Sequence, residues 1–295
     1  MNLFTPPPET EWNVLNLGAG VQSSALALMA AHGEIGTYVD FAVFADTQAE
    51  PSEVYEWLET LQKLINDAPC PFPIYTVTKG DLTEAQLQIR TSHGKGAKPE
   101  GATYIKKLIP FFGRKKNGET VGAIGRSCTE DYKILPIRKF LRNHCGIKRG
   151  QKNATITQWI GISWDEIQRA RESRVSWMQH RWPLLETKIT RADCINWMRQ
   201  KGYPTPPRSA CYYCPFHSDT EWRRLRDDDP EHFAKAVKLD HELRHKIKHH
   251  DKFTQMEVYL HNSCKPLDQV DFDNDEDKGQ MTWDFQAECE GMCGL

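Results

Sequence analysis

The feature that most constrains this chain is an alternation that begins near its N-terminus. Residues 12–17 form a short apolar run, Gly18 and Gly20 interrupt it, and residues 23–32 continue in helix-forming side chains. The cycle then repeats. Residues 41–45 read as a second buried strand, Asp46 follows, and a helix is expected from about Pro51, a residue suited to a first helical turn. Residues 74–77 and 155–162 read as further strands, residues 136–144 as a basic helix, and Ser163 as the opening of another helix. Strands alternating with helices imply an α/β fold, a doubly wound, mostly parallel sheet forming a Rossmann-like nucleotide-binding core. Such sheets bind ligands beyond the carboxyl ends of their strands. Attention therefore falls on residues 18–24, 46–50 and 163–169.

The pattern predicts a core over residues 1–185 and a mostly helical, cysteine-containing C-terminal region with an acidic tail over 186–295. No run approaches the roughly 18 apolar residues of a membrane span, so no membrane partner is expected. The first twenty residues hold three prolines, two glutamates and no basic residue. This is unlike a secretory signal and implies a cytoplasmic protein. In that setting nine cysteines point to metal ligation or thiol chemistry rather than a disulfide framework. The formal net charge of −2 averages two unlike regions. Residues 106–149 carry twelve Lys/Arg against three Asp/Glu, and residues 265–295 carry two Lys against nine Asp/Glu. The basic segment is either a nucleic-acid contact or a solvated face. Residues 221–252 are charged but balanced and read as helical, opened by Ser218 and Glu221 in capping-box spacing. Residues 92–102 read as a mobile loop.

Six motifs carry possible chemistry. In Gly18-Ala-Gly20-Val-Gln22-Ser23-Ser24, glycines before a helix let backbone N–H groups approach a phosphate, and the two hydroxyls can add donors; an ordinary tight turn is the alternative. Asp46, at a strand end, suits a ribose, a Mg²⁺ or a helix cap. Arg126, Cys128 and Lys133 place two cations and a thiol within eight residues, which suits an oxyanion and lowers a thiol pKa; a solvated basic face is the alternative. Ser163 and Glu166 fit a capping box, and Asp165 and Arg169 an i,i+4 pair, leaving Arg169 able to reach an anionic ligand. Cys211-x-x-Cys214 puts two thiolates on one metal without strain; a redox pair or two core cysteines are the alternatives. Cys289 and Cys293, near the chain end, suit redox, ligation or a nucleophilic arm.

Taken together, these motifs resemble the phosphoadenosine phosphosulfate (PAPS) reductase family, within the wider group that includes the N-type ATP pyrophosphatases. Gly20-Val21-Gln22 is similar to the loop of many PAPS reductases. Gly18 stands at the first Ser of that loop, and Gln22 at the pyrophosphatases' Asp. Asp46-Thr47 with Glu50 and Pro51 resembles the family's D-T-G-x-x-x-P-E region, with Gln48 in place of Gly. Arg126-x-Cys128 with Lys133 and Pro136 resembles its R-x-C-x(4)-K-x-x-P element, and Gly161, Glu166 and Arg169 the following strand-end element. Pro183-Leu184 and Cys211-x-x-Cys214 follow in the family's order.

The resemblance implies an enzyme of sulfur metabolism that takes ATP or PAPS. Gly18, Gly20, Gln22, Ser23 and Ser24 would hold phosphate or sulfate, and Asp46 would lie near the ribose or a Mg²⁺. Arg126, Lys133 and Arg169 would neutralise anionic groups. Cys128, Cys211 and Cys214 would bind a [4Fe–4S] cluster, with a fourth ligand from Cys289, Cys293 or Cys264; Zn²⁺ accepts the same thiolates. In the reductive version Cys289 attacks the sulfonate and a second thiol, Cys293, resolves the product, with a thiol reductant as partner. In the alternative, ATP adenylylates RNA or DNA and a sulfur-donor protein supplies the sulfur. A catalytically inactive nucleic-acid-binding module on the same fold is the third reading.

Overall fold

The computed structural model describes residues 5–36, 38–96, 98–247 and 256–272. In chain order the first elements are β1 (Trp12–Leu17), α1 (Val21–Ala31), β2 (Phe41–Asp46), α2 (Ser52–Asn66), β3 (Ile74–Thr78) and α3 (Leu82–Leu87). Four short strands follow, β4 (Ile89–Thr91), β5 (Thr103–Ile105), β6 (Phe111–Lys115) and β7 (Thr120–Ile124), then a π-helical segment Thr129–Ile134 that runs into α4 (Leu135–His144). Next come β8 (Ile156–Ile160), a 3₁₀ segment Trp164–Arg169, β9 (Met178–Arg181), α5 (Pro183–Glu186) and α6 (Arg191–Gln200). The last elements are α7 (Asp219–Asp228), α8 (Pro230–Lys246) and β10 (Met256–Tyr259). Among the described residues no helix is long and apolar enough to cross a membrane.

The central sheet has the order β3-β2-β1-β8-β9, and every pairing in it is parallel. This is the α/β, Rossmann-like architecture expected from the alternation. Side chains of successive strand residues face opposite layers, and the core divides accordingly. Leu15, Leu17, Ala42 and Phe44 join a cluster with α1, α2 and α6. Val14, Phe41, Val43 and Ala45 join Ile137 and Leu141 of α4 in another. Every residue of α1 is buried. A helix buried on every side belongs inside a layered fold rather than at its surface.

Strand order reverses between β1 and β8. The chain builds β1, β2 and β3 to one side, then returns to place β8 and β9 on the other. The carboxyl ends of β1 and β8 therefore flank the switch point, where the two halves part and leave a crevice.

A second sheet was not legible in the alternation. β10, β6 and β7 form an antiparallel three-stranded sheet in which Met256–Tyr259 pairs with Phe112–Lys115. The basic segment thus contains a hairpin, and the C-terminal region, whose α6, α7 and α8 are helical as expected, also supplies a strand. A third apolar cluster joins Leu108, Phe111 and Tyr132 to Tyr212, Tyr213, Trp222, Leu239 and Val258. Residues 92–102 connect β4 to β5 and are pinned by Ser92 and Ala102 backbone pairing. The capping box of Ser218 and Glu221 is formed as expected.

Candidate functional site

At the end of β1, Ala19 adopts the left-handed conformation (φ 63°) and Gly20 caps α1 without a side-chain hydrogen bond to the helix. The first turn of α1 contains no acidic residue. Its N–H groups and the helix dipole therefore favour an anion. Gly161, just past β8, meets this loop so closely that a Cβ there would lie 2.9 Å from both the N and Cα atoms of Ser23. Close backbone packing, rather than a turn, requires glycine at 161.

The side chains of this loop face inward. Ser23 Oγ accepts from the Gly18 N–H at 3.2 Å and donates to the Gly20 carbonyl at 3.3 Å. Ser24 Oγ accepts from the Trp57 indole at 2.9 Å. The Gln22 amide donates to Glu166 at 3.1 Å and Ser163 at 3.4 Å, and its carbonyl accepts from Arg191 at 3.3 Å. Glu166 in turn pairs with Arg169 at 2.6 Å. Gln22, Ser23 and Ser24 thus brace the loop, with the Gly18 N–H engaged by Ser23, and its ligand-binding capacity lies in the backbone of Ala19–Val21. One local expectation is corrected here. The Ser163–Glu166 capping box does not form, because the segment is 3₁₀ and Ser163 caps nothing with its side chain. Arg169 pairs with Glu166, and Asp165 accepts from the Arg191 N–H.

After β2 the chain turns through Gln48, also left-handed (φ 58°). Asp46 Oδ1 accepts from the Gln48 N–H at 2.7 Å and from the Tyr55 hydroxyl at 2.9 Å. Burial and then the Asp46 charge raise the Tyr55 phenol above its ordinary range. In this arrangement Asp46 holds its own turn. Glu50, fully buried, lies 3.4 Å from the ammonium of Lys133. Lys133 is delivered by the π-helical segment, a rare local geometry found frequently at functional sites.

Cys128 stands at the start of that segment, its N–H bonded to the Leu108 carbonyl. The Cys211–Cys214 turn closes by a bond from the Cys214 N–H to the Cys211 carbonyl, and the Tyr212 N–H fastens it to Ala49. Cys211 Sγ is 3.3 Å from Thr47 Oγ1. Burial raises the Cys211 thiol, the Glu50 charge adds to this, and Lys133 opposes it. Tyr213 is raised by burial first, then by Cys211 and Cys128. Three sequence segments, around residues 47–50, 128–133 and 211–214, thus meet beside the carboxyl end of β2. Among the described residues no three His, Cys, Asp or Glu side chains are grouped to hold a metal ion. The thiols share a region without closing a ligand shell.

Arg126 is exposed over the ring of Phe216, 5.6 Å from its centroid. Cys264 is buried, with its thiol donating to the Gly113 carbonyl at 3.4 Å, and belongs to the second sheet's surroundings. Cys289 and Cys293 lie outside the described residues. Thr47, Glu50, Tyr213 and Arg191 complete the site and were not among the expected site residues. Glu50 was marked only by its place in the D-T…E-P run, and Arg191, remote in sequence, carried no signal. No protein-family model matches the chain, and no curated protein matches it.

Proposed function

We propose that this chain is an enzyme of sulfur metabolism that binds an adenine nucleotide, ATP or PAPS, at the carboxyl edge of its parallel sheet. The observation that carries the reading is the convergence just described. A glycine loop at the helix N-terminus, a buried Glu50–Lys133 pair and three thiols from two distant segments stand at neighbouring strand ends. Backbone N–H groups of Ala19–Val21 would take phosphate oxygens; the Gly18 N–H is held by Ser23. Lys133 and Arg169 would supply cationic surroundings, each steadied by a carboxylate. Arg126 would reach a substrate from the exposed rim.

The proposal extends to a thiophilic metal centre. Cys128, Cys211 and Cys214 are half-buried soft donors in one region, which suits an iron–sulfur cluster or Zn²⁺. An iron–sulfur cluster would supply redox or electrostatic support there. Anaerobically purified protein should contain iron and sulfide, and Cys211→Ala should lose them; metal-free wild-type protein would refute the centre.

The deciding assay offers ATP and PAPS separately. Sulfite release supports sulfonate reduction, in which Cys289→Ser should abolish turnover. Pyrophosphate release supports adenylylation followed by thiolation of RNA or DNA. The exposed cations Lys115, Lys116, Lys139, Arg142, Lys148 and Arg149 favour that second reading, since they suit a polyanionic acceptor. Nucleic-acid binding with neither product would leave the inactive binding module.

A further inference from the structure

A small cavity lies beyond the carboxyl ends of β8 and β9, against the start of α4. Its wall includes Arg138, Arg169, Arg171, Arg174, His180 and Trp182. Two carboxylates, Glu130 and Glu172, oppose these four guanidinium groups. Its volume is about 30 Å³, room for two or so waters or one tetrahedral ion in their place, and too little for a nucleoside.

The polar atoms of this wall are built for a guest. His180 and Trp182 are 7% and 3% exposed. The Trp182 indole N–H, the Arg138 Nε–H and His180 Nε2 are all buried without a hydrogen-bond partner among the described residues. Native proteins pair nearly all such groups, so several around one cavity call for an occupant. Burial and then the neighbouring Arg174 push the Arg138 guanidinium below its ordinary value, with Glu130 opposing. Like charges held this close are relieved by an anion between them.

We propose that this cavity binds a single tetrahedral oxyanion, of the phosphate or sulfate class, through Arg138, Trp182 and His180, with Arg169, Arg171 and Arg174 supplying the surrounding positive field. The site does not rest on the nucleotide reading. Arg169, Glu166 and Gln22 connect it to the glycine loop.

His180 sets how the anion is taken. Its Nδ1 is 2.7 Å from the Arg171 carbonyl, which can only accept, so Nδ1 carries the proton and Nε2 presents a lone pair. Hydrogen phosphate can donate its own proton to that lone pair. Sulfate has none to give near neutral pH, so sulfate binding requires His180 to take up a proton. The charged groups facing His180 are Glu130 and Arg138 from the α4 side, and Arg169, Arg171, Glu172 and Arg174 from the segment between β8 and β9. Burial and the Arg138 charge hold the imidazole of the ion-free protein below its ordinary value, so a bound dianion is what would favour its protonation.

The test is calorimetric titration of the full chain with inorganic phosphate and, separately, sodium sulfate, at two pH values. Saturable one-to-one binding of both ions is expected, with sulfate affinity rising as pH falls through the histidine range and phosphate affinity changing less. Trp182→Phe keeps the ring and removes only the N–H. It should weaken phosphate about tenfold, the worth of one hydrogen bond to a charged group. Arg138→Met should weaken it at least as much, with thermal melting of the ion-free variants confirming that they fold. Repeating the titration with ATP present separates the sources: additive binding identifies a free ion, and displacement identifies a phosphate of the nucleotide. Absence of saturable binding, or unchanged affinity in both folded variants, overturns the proposal.

Discussion

Replacing Gly161 by alanine tests the switch-point geometry directly. The new Cβ would stand 2.9 Å from the N and Cα atoms of Ser23 and 3.2 Å from the carbonyl carbon of Gln22. Carbon contacts settle at about 3.5–4.0 Å, so the start of α1 or the end of β8 must retreat by roughly 0.6–1 Å. The obstructing atoms are backbone, and no flexible side chain can swing aside. Overpacking of this kind costs about 1–3 kcal/mol. The lost freedom of the unfolded chain returns about 0.4–1 kcal/mol, leaving a net loss of about 0–2.6 kcal/mol, centred near 1.3. Urea unfolding should show a lower midpoint with an unchanged slope. Nucleotide affinity should suffer beyond the stability loss, because the displaced atoms open the helix whose N–H groups would take the phosphate. Gly122→Ala is the control: it too is not left-handed, and its Cβ would meet nothing within 4 Å. If Gly161→Ala unfolds at the wild-type midpoint, the close approach is not a constraint. If it unfolds earlier but binds nucleotide normally, the loop is not the phosphate site.

Lys133→Met should destabilise the protein by about 3–5 kcal/mol, because it leaves the buried Glu50 without its cation. Adding Glu50→Gln should recover much of that loss, and urea midpoints of the two single variants and the double variant would show no coupling if the pair were incidental. Gln48→Gly should change stability by about 0 to +1 kcal/mol, since the left-handed turn penalises a side chain by about 1–2 kcal/mol and glycine's extra chain entropy offsets part of that; a clear loss of stability would contradict the strain. Burial lowers the His180 imidazole below its ordinary value of 6.5, with the Arg138 charge adding to this. The folded protein then keeps His180 neutral where the unfolded chain takes up a proton. Stability should fall as pH drops from 6.5 toward the depressed value, and His180→Gln should flatten that acid limb of a pH–stability profile.

The parallel core was legible because its signals are local. A buried strand ended by Gly18 and Gly20, with a helix beginning at Val21, can be read from a dozen residues. The β6–β7 hairpin was not legible, since Arg114, Lys115 and Lys116 mask any apolar alternation and β6 finds its second partner only at β10, some 140 residues later. Side-chain direction was the other limit. Residues 18–20 form the turn between β1 and α1, yet Ser24 serves Trp57 and Gln22 serves Glu166 and Arg191. Each of those partners lies in another element, and a motif read along one segment cannot say which atoms face outward. The same reasoning separates the two kinds of basic residue in segment 106–149. Lys133 and Arg138 are drawn inward by Glu50 and Glu130, while Lys148 and Arg149 stay exposed. The excess of positive charge is therefore not one patch. Its inward members are paired with carboxylates at the sheet edge, and only its exposed members are available to a polyanion. Lys148→Glu with Arg149→Glu should accordingly weaken nucleic-acid binding and flatten its salt dependence in a filter or anisotropy titration, while leaving nucleotide binding at the sheet edge unchanged.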